Sequence, residues 1–369
     1  MRTPSVAVVG GGASGALTAI HLLRLARTSG TPMAVTLLDQ HGRHALGQAY
    51  ATTDPHHLLN TRADRMSAFD GEPDHLLTWA RNAGVDVNGS GYLPRALYGR
   101  YLREVLTAAE DPPARPLHRV TATAVALDND HAVRLADGRR VDADAVVLAL
   151  GNRSPAPVPG LTAHPRYVTD PWAGGALTGI GDGAAVLVLG TGLTMVDVAL
   201  SVTLRRVARY WEIHRHRIPP ASAAAIADLR ARGRLRLLRG SLVEAKPAAD
   251  GLRVRADLDG TMTDLDVGWL VNATGPSADV TTDPFLANLI TAGTARPDPL
   301  RLGLDATPDG AVLDVAGQPS GRLFALGPLL RGTLYETTAV PEIRAQAAAL
   351  APRLVEVATS HAARTQPVA

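Results

Sequence analysis

Three glycines near the N-terminus carry the most specific chemistry in this chain. Gly10, Gly12 and Gly15 stand in the order G-x-G-x-x-G within VAVVGGGASG, residues 6–15. A short apolar strand, Val6 to Val9, leads into them, and an apolar-periodic helix comes after (Ala16, Leu17, Ile20, Leu22, Leu23). Each glycine has a physical task in a dinucleotide-binding turn. The first permits the tight turn, the second lets backbone approach a pyrophosphate, and the third lets helix lie close on strand. The helix then offers free N–H groups and a positive dipole end to the phosphates. The next strand, AVTLLD at 34–39, ends in Asp39, 24 residues beyond Gly15. An acid at that place accepts hydrogen bonds from ribose hydroxyls.

The pattern returns at AAVLVLGTGLTMVDVALSV, 184–202, again strand, turn and helix, with Gly190 and Gly192. Met195 occupies the third glycine's position, so helix and strand are expected to pack more loosely there. The following strand, RYWEIHRHRIPP at 209–220, ends in His214, Arg215, His216 and Arg217 rather than in an acid. A basic residue there suits a 2′-phosphate, which points to NADP over NAD. A solvated basic strand end is the plain alternative.

Other chemistries are weakly supported. The chain has no cysteine, which removes disulfides, thiolate metal sites, cysteine nucleophiles and a C-x-x-C redox pair. Four histidines (His41, His44, His56, His57) fall in the connection at 41–69, but none has a partner at ligand spacing on a defined element, so no metal site is expected. A net charge of +2 gives no general case for nucleic acid, and almost every base is arginine, Lys246 being the only lysine. No apolar run reaches the ~18 residues of a membrane span. The expectation is a cytoplasmic chain with no membrane partner.

The scaffold for these residues can be read along the chain. With 46% apolar residues it can fill more than one core. The stretch 41–69 reads as one long connection, broken by Gly42, Gly47 and Asp54-Pro55. Helices are expected at 73–84 and 93–110, with Pro94 in the second one's first turn. An antiparallel group comes next (VTATAVALDND, HAVRLADG, RRVDA), with its hairpin turn at Asp137-Gly138. DAVVLALGN is a buried strand meeting Gly151, WLVNATGPS its counterpart meeting Gly275, and RLFALGP a third meeting Gly327. The closing helix, PEIRAQAAALAPRLVEVA, has Thr338 as expected N-cap and Pro341 in its first turn. Proline-rich sequence at 155–159 marks a boundary. The expected fold class is α/β with two Rossmann-like dinucleotide-binding domains. Residues 1–157 and 276–369 would form an FAD domain, into which an NAD(P)H domain, 158–275, is inserted.

Two nucleotide sites in one chain are most simply joined by hydride transfer from a nicotinamide to a flavin. The protein's part is to bind, orient and tune them. Without cysteine the electrons go to oxygen, a bound substrate or a partner protein. A flavin reductase or oxidase that inserts no oxygen stays open from the residues alone, as does a non-catalytic nucleotide-binding protein.

VAVVGGGASG, VVLALGN, VLVLGTG, VNATGP and LFALGP together resemble the two-dinucleotide flavoprotein superfamily over nearly the whole chain. Within it, GQAYATTDPHHLLN, RADRMSAF, LPRALYGRYL, GTGLTMVD and LGPLLRGTLYETTAVPEIRAQA look like the FAD/NAD(P)-binding proteins that include FAD-dependent urate hydroxylase. The layout is similar to class B flavin monooxygenases and N-hydroxylases. The resemblance implies that Gly10, Gly12, Ala13, Ser14, Gly15, Asp39 and Gln40 bind FAD, along with Val125, Gly151 and Gly327. It implies that Asn60, Met66 and Ser67 border the isoalloxazine, and that Thr338, Ala339 and Val340 meet its pyrimidine edge. Gly190, Thr191, Gly192, Leu193, Thr194 and Arg215 would hold NADPH. The implied activity is a monooxygenase. NADPH reduces FAD, the reduced flavin and oxygen form a C4a-(hydro)peroxide, and one oxygen passes to a small, nitrogen-bearing substrate. Tyr50, Asn60 and Tyr335 are the candidates to shape that pocket, and Glu336 is a weaker one. The class B fingerprint F-x-G-x-x-x-H is only partly met, by Val158, Gly160 and His164, which argues against Baeyer–Villiger chemistry. No Asp stands beside Gly327, so one flavin contact there falls to backbone.

Overall fold

The computed structural model of this protein describes residues 2–110, 116–129, 131–161, 163–181, 183–190, 195, 198–199, 218–277, 279–334 and 336–365. The first unit begins with β1 (Ser5–Val9), α1 (Ala13–Ser29) and β2 (Ala34–Asp39). After the long connection come α2 (His75–Asn82), α3 (Arg95–Ala109) and β3 (Leu117–Thr121). A meander, β4 (Ala124–Leu127), β5 (Val133–Leu135) and β6 (Arg140–Val141), returns the chain to β7 (Ala145–Leu148). The middle of the chain holds β8 (Tyr167–Val168), β9 (Val186–Leu189), α4 (Pro220–Ala231), β10 (Gly240–Ala248), β11 (Gly251–Leu258), β12 (Thr261–Val267) and β13 (Trp269–Asn272). The chain closes with α5 (Pro284–Thr291), β14 (Ala311–Leu313), β15 (Pro319–Ala325) and α6 (Val340–Arg364).

The main sheet has six strands in the order β14-β15-β7-β1-β2-β3, parallel except for β14. Its central strands are largely apolar because both faces are covered. Val6 and Val8 of β1, with Ala145 and Val147 of β7, feed a core under α1, α3 and α6. Ala7, Val9, Val146 and Leu148 point the other way, into a core shared with the β4–β6 meander and α5. Side chains such as Leu17, Ile20 and Leu37 are fully buried, each worth about 1.5–3 kcal/mol of transfer free energy.

The chain runs from β1 outward through β2 to β3, then crosses back to β7 on β1's other side. That reversal makes the carboxyl ends of β1 and β7 a topological switch point, where open α/β sheets bind ligands. Three-stranded sheets form the middle of the chain. One is all parallel, in the order β8-β13-β9, and the other is the antiparallel meander β10-β11-β12. The whole is a mixed α/β fold with a Rossmann-like parallel sheet.

The structure departs from the sequence expectations at several elements. VTATAVALDND does not lie wholly in the antiparallel group. Its first residues end β3, which pairs parallel with β2 at the edge of the main sheet, and the meander begins only at β4. Alternating apolar residues specify a strand but not its partner. Pro94 sits at the N-cap position of α3, one residue before its first turn. Thr338 is not the cap of α6. Ala339 holds that position, and no side chain caps the helix. Helix α5 and strand β12 are additions to the expected elements, although Asp283 caps α5 by accepting from the backbone N–H groups of Phe285 and Leu286 (both 3.0 Å).

Asp144, fully buried before β7, fastens the far end of the sheet. It accepts from Arg2, from Ser5 N (2.8 Å) and from Ser5 Oγ (3.1 Å), and it lies 2.7 Å from His361 Nδ1 near the end of α6. Burial pushes its carboxyl up. The bonds from His361, Arg2 and Ser5 outweigh burial and hold it below the ordinary carboxylate range.

Candidate functional site

The candidate site lies at the carboxyl ends of β1, β2, β7 and β15. Gly10 has φ 109°, and a Cβ there would run into the carbonyl oxygen of Ala149, just past β7. A Cβ on Gly15 would collide with the carbonyl oxygen of Gly10. The first and third glycines are therefore forced by contacts inside the protein. Gly12 differs: a Cβ on it would fall 3.3 Å from the Cα of Gly47. The second glycine faces the long connection, and Gly47 (φ 53°) approaches it backbone to backbone.

Helix α1 starts at Ala13 with Gly12 at its N-cap, and no side chain caps it. Its first N–H groups have no intrahelical acceptor. Ala13 and Ser14 lie in that first turn. At α6 the arrangement repeats, with Ala339 at the N-cap, Pro341 in the first turn and Val340 buried. Both helices that meet this edge of the sheet leave their starts open, as α2, α3 and α4 also do, while α5 is capped by Asp283. A turn that admits no side chain and two uncapped helix starts fit a bound dinucleotide.

Asp39 stands at the end of β2. Its Oδ1 accepts from the backbone N–H groups of His41 and Arg43 (both 2.9 Å), which shapes the start of the connection and leaves Oδ2 for a ligand. Gly11 packs on it, since a Cβ on Gly11 would meet the Cβ of Asp39 at 2.5 Å. Gln40 comes next, at the turn.

The last strand is locked to the last helix. Gly327 (φ 69°) donates from its N–H to Gln346 Oε1 (2.9 Å), Gln346 Nε2 donates to Thr337 Oγ1 (2.6 Å), and Thr337 Oγ1 donates to the Gly327 carbonyl (3.0 Å). Thr337 is fully buried. A Cβ on Gly327 would lie 2.9 Å from Ser14 Oγ, so the strand end packs on the start of α1. This ring holds Thr338 and Ala339 in place, Thr338 being exposed. Motif spacing carries no sign of Gln346 or Thr337, because their role is a contact across the chain.

Other expected residues scatter more. Met66 is buried in the core under α1, and the Ser67 hydroxyl donates to the Glu72 carbonyl (2.7 Å) within its own loop. Asn60 is exposed, and so is Val125 on β4. Tyr50 is an edge-on partner of Tyr98, ring centroids 4.9 Å apart, and burial pushes its hydroxyl up to about 12. Tyr335 lies outside the described residues. Glu336 is exposed. Three of the four histidines of the connection are engaged locally: His44 Nε2 lies 3.1 Å from the Leu37 carbonyl, His56 Nδ1 2.9 Å from Asp54 and His57 Nδ1 2.7 Å from Thr52. Among the described residues no three His, Asp or Glu gather as metal ligands. No helix among them is long and apolar enough to cross a membrane.

The second turn copies the first. Gly190 has φ 100°, and a Cβ there would run into the carbonyl oxygen of Ala273, as one on Gly10 would with Ala149. Ala273 N donates to the Leu189 carbonyl (2.9 Å), matching Ala149 N to Val9 (2.8 Å). Met195 packs with Ala273, Ala199 and Ile218 where a third glycine would bring the helix closer. Thr191, Gly192, Leu193, Thr194 and Arg215 lie outside the described residues. In the linker, Val158 is buried in the core of β10–β12, and a Cβ on Gly160 would lie 2.9 Å from Glu244 Cγ. Gly151 (φ 69°) comes shortly after β7 and Gly275 (φ 87°) shortly after β13. Gly151, Arg153, Ser277 and Arg331 line a cleft there.

Two ties join the segment after β8 to the long connection. Gln48 Nε2 donates to Asp170 Oδ2 (2.7 Å), which also accepts from Ser154 Oγ (3.3 Å). Trp172 packs edge-on to His57 at 5.5 Å and lies under the Arg95 guanidinium at 4.8 Å.

Residues 7–153 match the sequence profile of a family described as FAD-NAD(P)-binding. No curated protein matches the sequence. Among solved structures the chain is similar to the ornithine N-hydroxylase of Kutzneria sp. 744 (TM-score 0.66, 14% identity, 99% of this chain and 100% of that one). It is also similar to the ornithine hydroxylase of Pseudomonas aeruginosa (0.65, 14%, 96% and 99%) and to the thioredoxin reductase of Lactococcus lactis (0.63, 14%, 97% and 99%). At these identities the likeness is one of fold.

Proposed function

We propose that this chain is an FAD-dependent, NADPH-using monooxygenase that acts on a small, nitrogen-bearing substrate. The observation that carries its two-cofactor part is the pair of side-chain-intolerant turns, Gly10 against Ala149 and Gly190 against Ala273, each at the carboxyl end of a parallel strand; a reductase would share it, and oxygen insertion rests on the likeness to N-hydroxylases. The profile match over 7–153 and the full-length likeness to N-hydroxylases support it. The thioredoxin reductase likeness raises electron transfer to a disulfide, but this chain has no cysteine to relay it.

When bound, FAD supplies the ring that activates oxygen, and NADPH supplies the hydride. The protein's own groups bind and orient. Gly10 and Gly15 shape the turn, Gly12 would let the pyrophosphate approach the start of α1, and Ala13 and Ser14 would offer N–H groups. Asp39 Oδ2 accepts from a ribose hydroxyl, beside Gln40. The open start of α6, at Thr338, Ala339 and Val340, would offer N–H groups to the flavin's electron-rich pyrimidine edge. Val125, Gly151 and Gly327 would complete the FAD contacts, and Asn60, with the backbone at Met66 and Ser67, would border the ring. Tyr50, Asn60 and Tyr335 would shape the substrate pocket, which must exclude water. Residues 158–275 would form the NADPH-binding unit, between the two parts of the FAD-binding unit, 1–157 and 276–369; Gly190, Thr191, Gly192, Leu193 and Thr194 would hold its phosphates and Arg215 the 2′-phosphate.

The test loads the protein with FAD, reduces it with NADPH and admits labelled oxygen with candidate amines. Label in the product, with NADPH use matched to product formed, is the expected result. NADPH use that yields only hydrogen peroxide with every candidate overturns it in favour of a reductase or oxidase. Arg215→Ala is expected to weaken NADPH far more than NADH in titrations. Equal loss removes the 2′-phosphate assignment.

A further inference from the structure

The seven tyrosines and four tryptophans of this chain are sparse, yet four of these rings form an unbroken row. Tyr50 lies 4.9 Å from Tyr98, Tyr98 5.6 Å from Tyr101, and Tyr101 5.3 Å from Trp79, centroid to centroid. Tyr98 and Tyr101 are fully buried on α3, and Trp79, on α2, is half-buried. The row starts three residues after Gly47, the residue that covers the cofactor turn, and ends at the surface.

Its outer members each have a proton acceptor. Tyr101 accepts from Ala68 N (2.9 Å), and its hydroxyl lies 2.8 Å from His75 Nδ1. Burial holds His75 below the ordinary histidine range, so its ring is neutral near pH 7 and can take the phenol proton. Trp79 Nε1 donates to Glu104 Oε2 (2.7 Å), and Arg100 Nε donates to Glu104 Oε1 (2.8 Å); the Arg100 and Trp79 bonds hold this carboxyl below its ordinary range, so it is ionised and takes a proton only from a strong acid such as an oxidised indole. The Arg100 guanidinium sits over the Trp79 ring at 5.4 Å, which opposes a positive charge on the indole and favours loss of its proton. An ordinary aromatic core needs contact but neither proton acceptor.

We propose that Tyr50, Tyr98, Tyr101 and Trp79 form an electron relay that carries an oxidising equivalent from the cofactor loop to the surface. The protective role rests on the monooxygenase reading; the relay itself does not. The oxidant is an oxygen-centred radical at the inner end, which takes one electron and becomes its anion. Tyr101 supplies that electron through Tyr98 and Tyr50 and passes its phenol proton to His75. Trp79 then gives an electron to Tyr101, which recovers its proton from His75, while the indole proton moves to Glu104. A thiolate in solution returns one electron to Trp79 and leaves as a thiyl radical, and the proton comes back from Glu104.

The relay can be driven from outside by azide radicals, generated by pulse radiolysis, which oxidise accessible indoles. The full chain is used, with and without FAD. The tryptophan-radical absorbance should relax in part, in a first-order phase independent of protein concentration, as the tyrosyl absorbance rises and Trp79 and Tyr101 reach equilibrium by the reverse of the outward step. Trp79→Phe and Tyr101→Phe should each remove that phase, and His75→Gln should slow it several-fold. Trp79 is half-buried at the surface, so its variant reports even if Tyr101→Phe fails to fold. A phase unchanged in Trp79→Phe, or one whose rate scales with protein concentration, overturns the relay. A chain that takes up no FAD yet shows the phase overturns the monooxygenase reading and leaves the relay standing. During aerobic NADPH oxidation without substrate, Trp79→Phe should inactivate in several-fold fewer turnovers, and equal lifetimes overturn the protective role.

Discussion

At the scale of single residues, the glycines divide by what makes them necessary. Gly10 and Gly15 are excluded from bearing a side chain by backbone a few ångströms away, so their replacement costs stability as well as binding. Gly15→Ala is expected to destabilise the protein by about 1–3 kcal/mol, the cost of overpacking a close contact. It should also yield protein that retains no flavin through gel filtration. Chemical denaturation and the absorbance spectrum check both. Asp144 supports a different expectation. Its folded pKa is depressed, so the stability it adds is fully present above the unfolded carboxylate value and is lost as pH falls through the folded one. Asp144→Asn should therefore cost about 1.5–3 kcal/mol at pH 7, the worth of bonds to a charged group. The gap to the parent should close as pH falls below about 4. Urea melts across that range measure it. Of these residues, Gly10 and Gly15 were legible from spacing. Asp144 was not, since its partners Arg2 and His361 lie 142 and 217 positions away.

At the scale of elements, the open start of α6 sets stability against binding. An Asp at position 339 would cap the helix, worth about 0.5–2 kcal/mol to the unliganded protein. It would also place a carboxylate where the proposed flavin edge meets the helix. Ala339→Asp should raise the melting temperature without FAD and weaken FAD binding, read by differential scanning calorimetry and by flavin fluorescence titration. A variant that is stabilised but binds FAD as before would move the flavin away from α6. The strands of the main sheet were legible because burial on both faces leaves continuous apolar runs, as in β1 and β7. The place of β3 was not legible, because its register with β2 is a choice made in three dimensions. The start of α6 lies one residue beyond the place its cap chemistry suggests: Thr338 has the side chain of a cap, but the Gly327–Thr337–Gln346 ring sets where the helix begins.

At the scale of the whole molecule, Asp170 ties together segments distant in sequence: the long connection through Gln48, the linker through Ser154, and its own stretch just past β8. Small misplacements of reacting groups cost up to about 100-fold in rate. Asp170→Ala is expected to leave FAD affinity unchanged and to slow anaerobic flavin reduction by NADPH several-fold, followed by stopped-flow absorbance. An unchanged reduction rate would mean that the tie positions neither cofactor.

Gly12 and Gly47, in backbone contact, also bear on the order of assembly. The loop that begins at Asp39 comes down on the turn it would help to fill, so a dinucleotide and a closed loop cannot arrive independently. With that contact kept around a bound cofactor, loading would be a timed event: cofactor present while the chain folds would be enclosed as the loop settles, and cofactor offered afterwards would have to wait for the loop to lift. The pace of exchange in the finished protein would be set by that opening and not by the strength of the contacts beneath it.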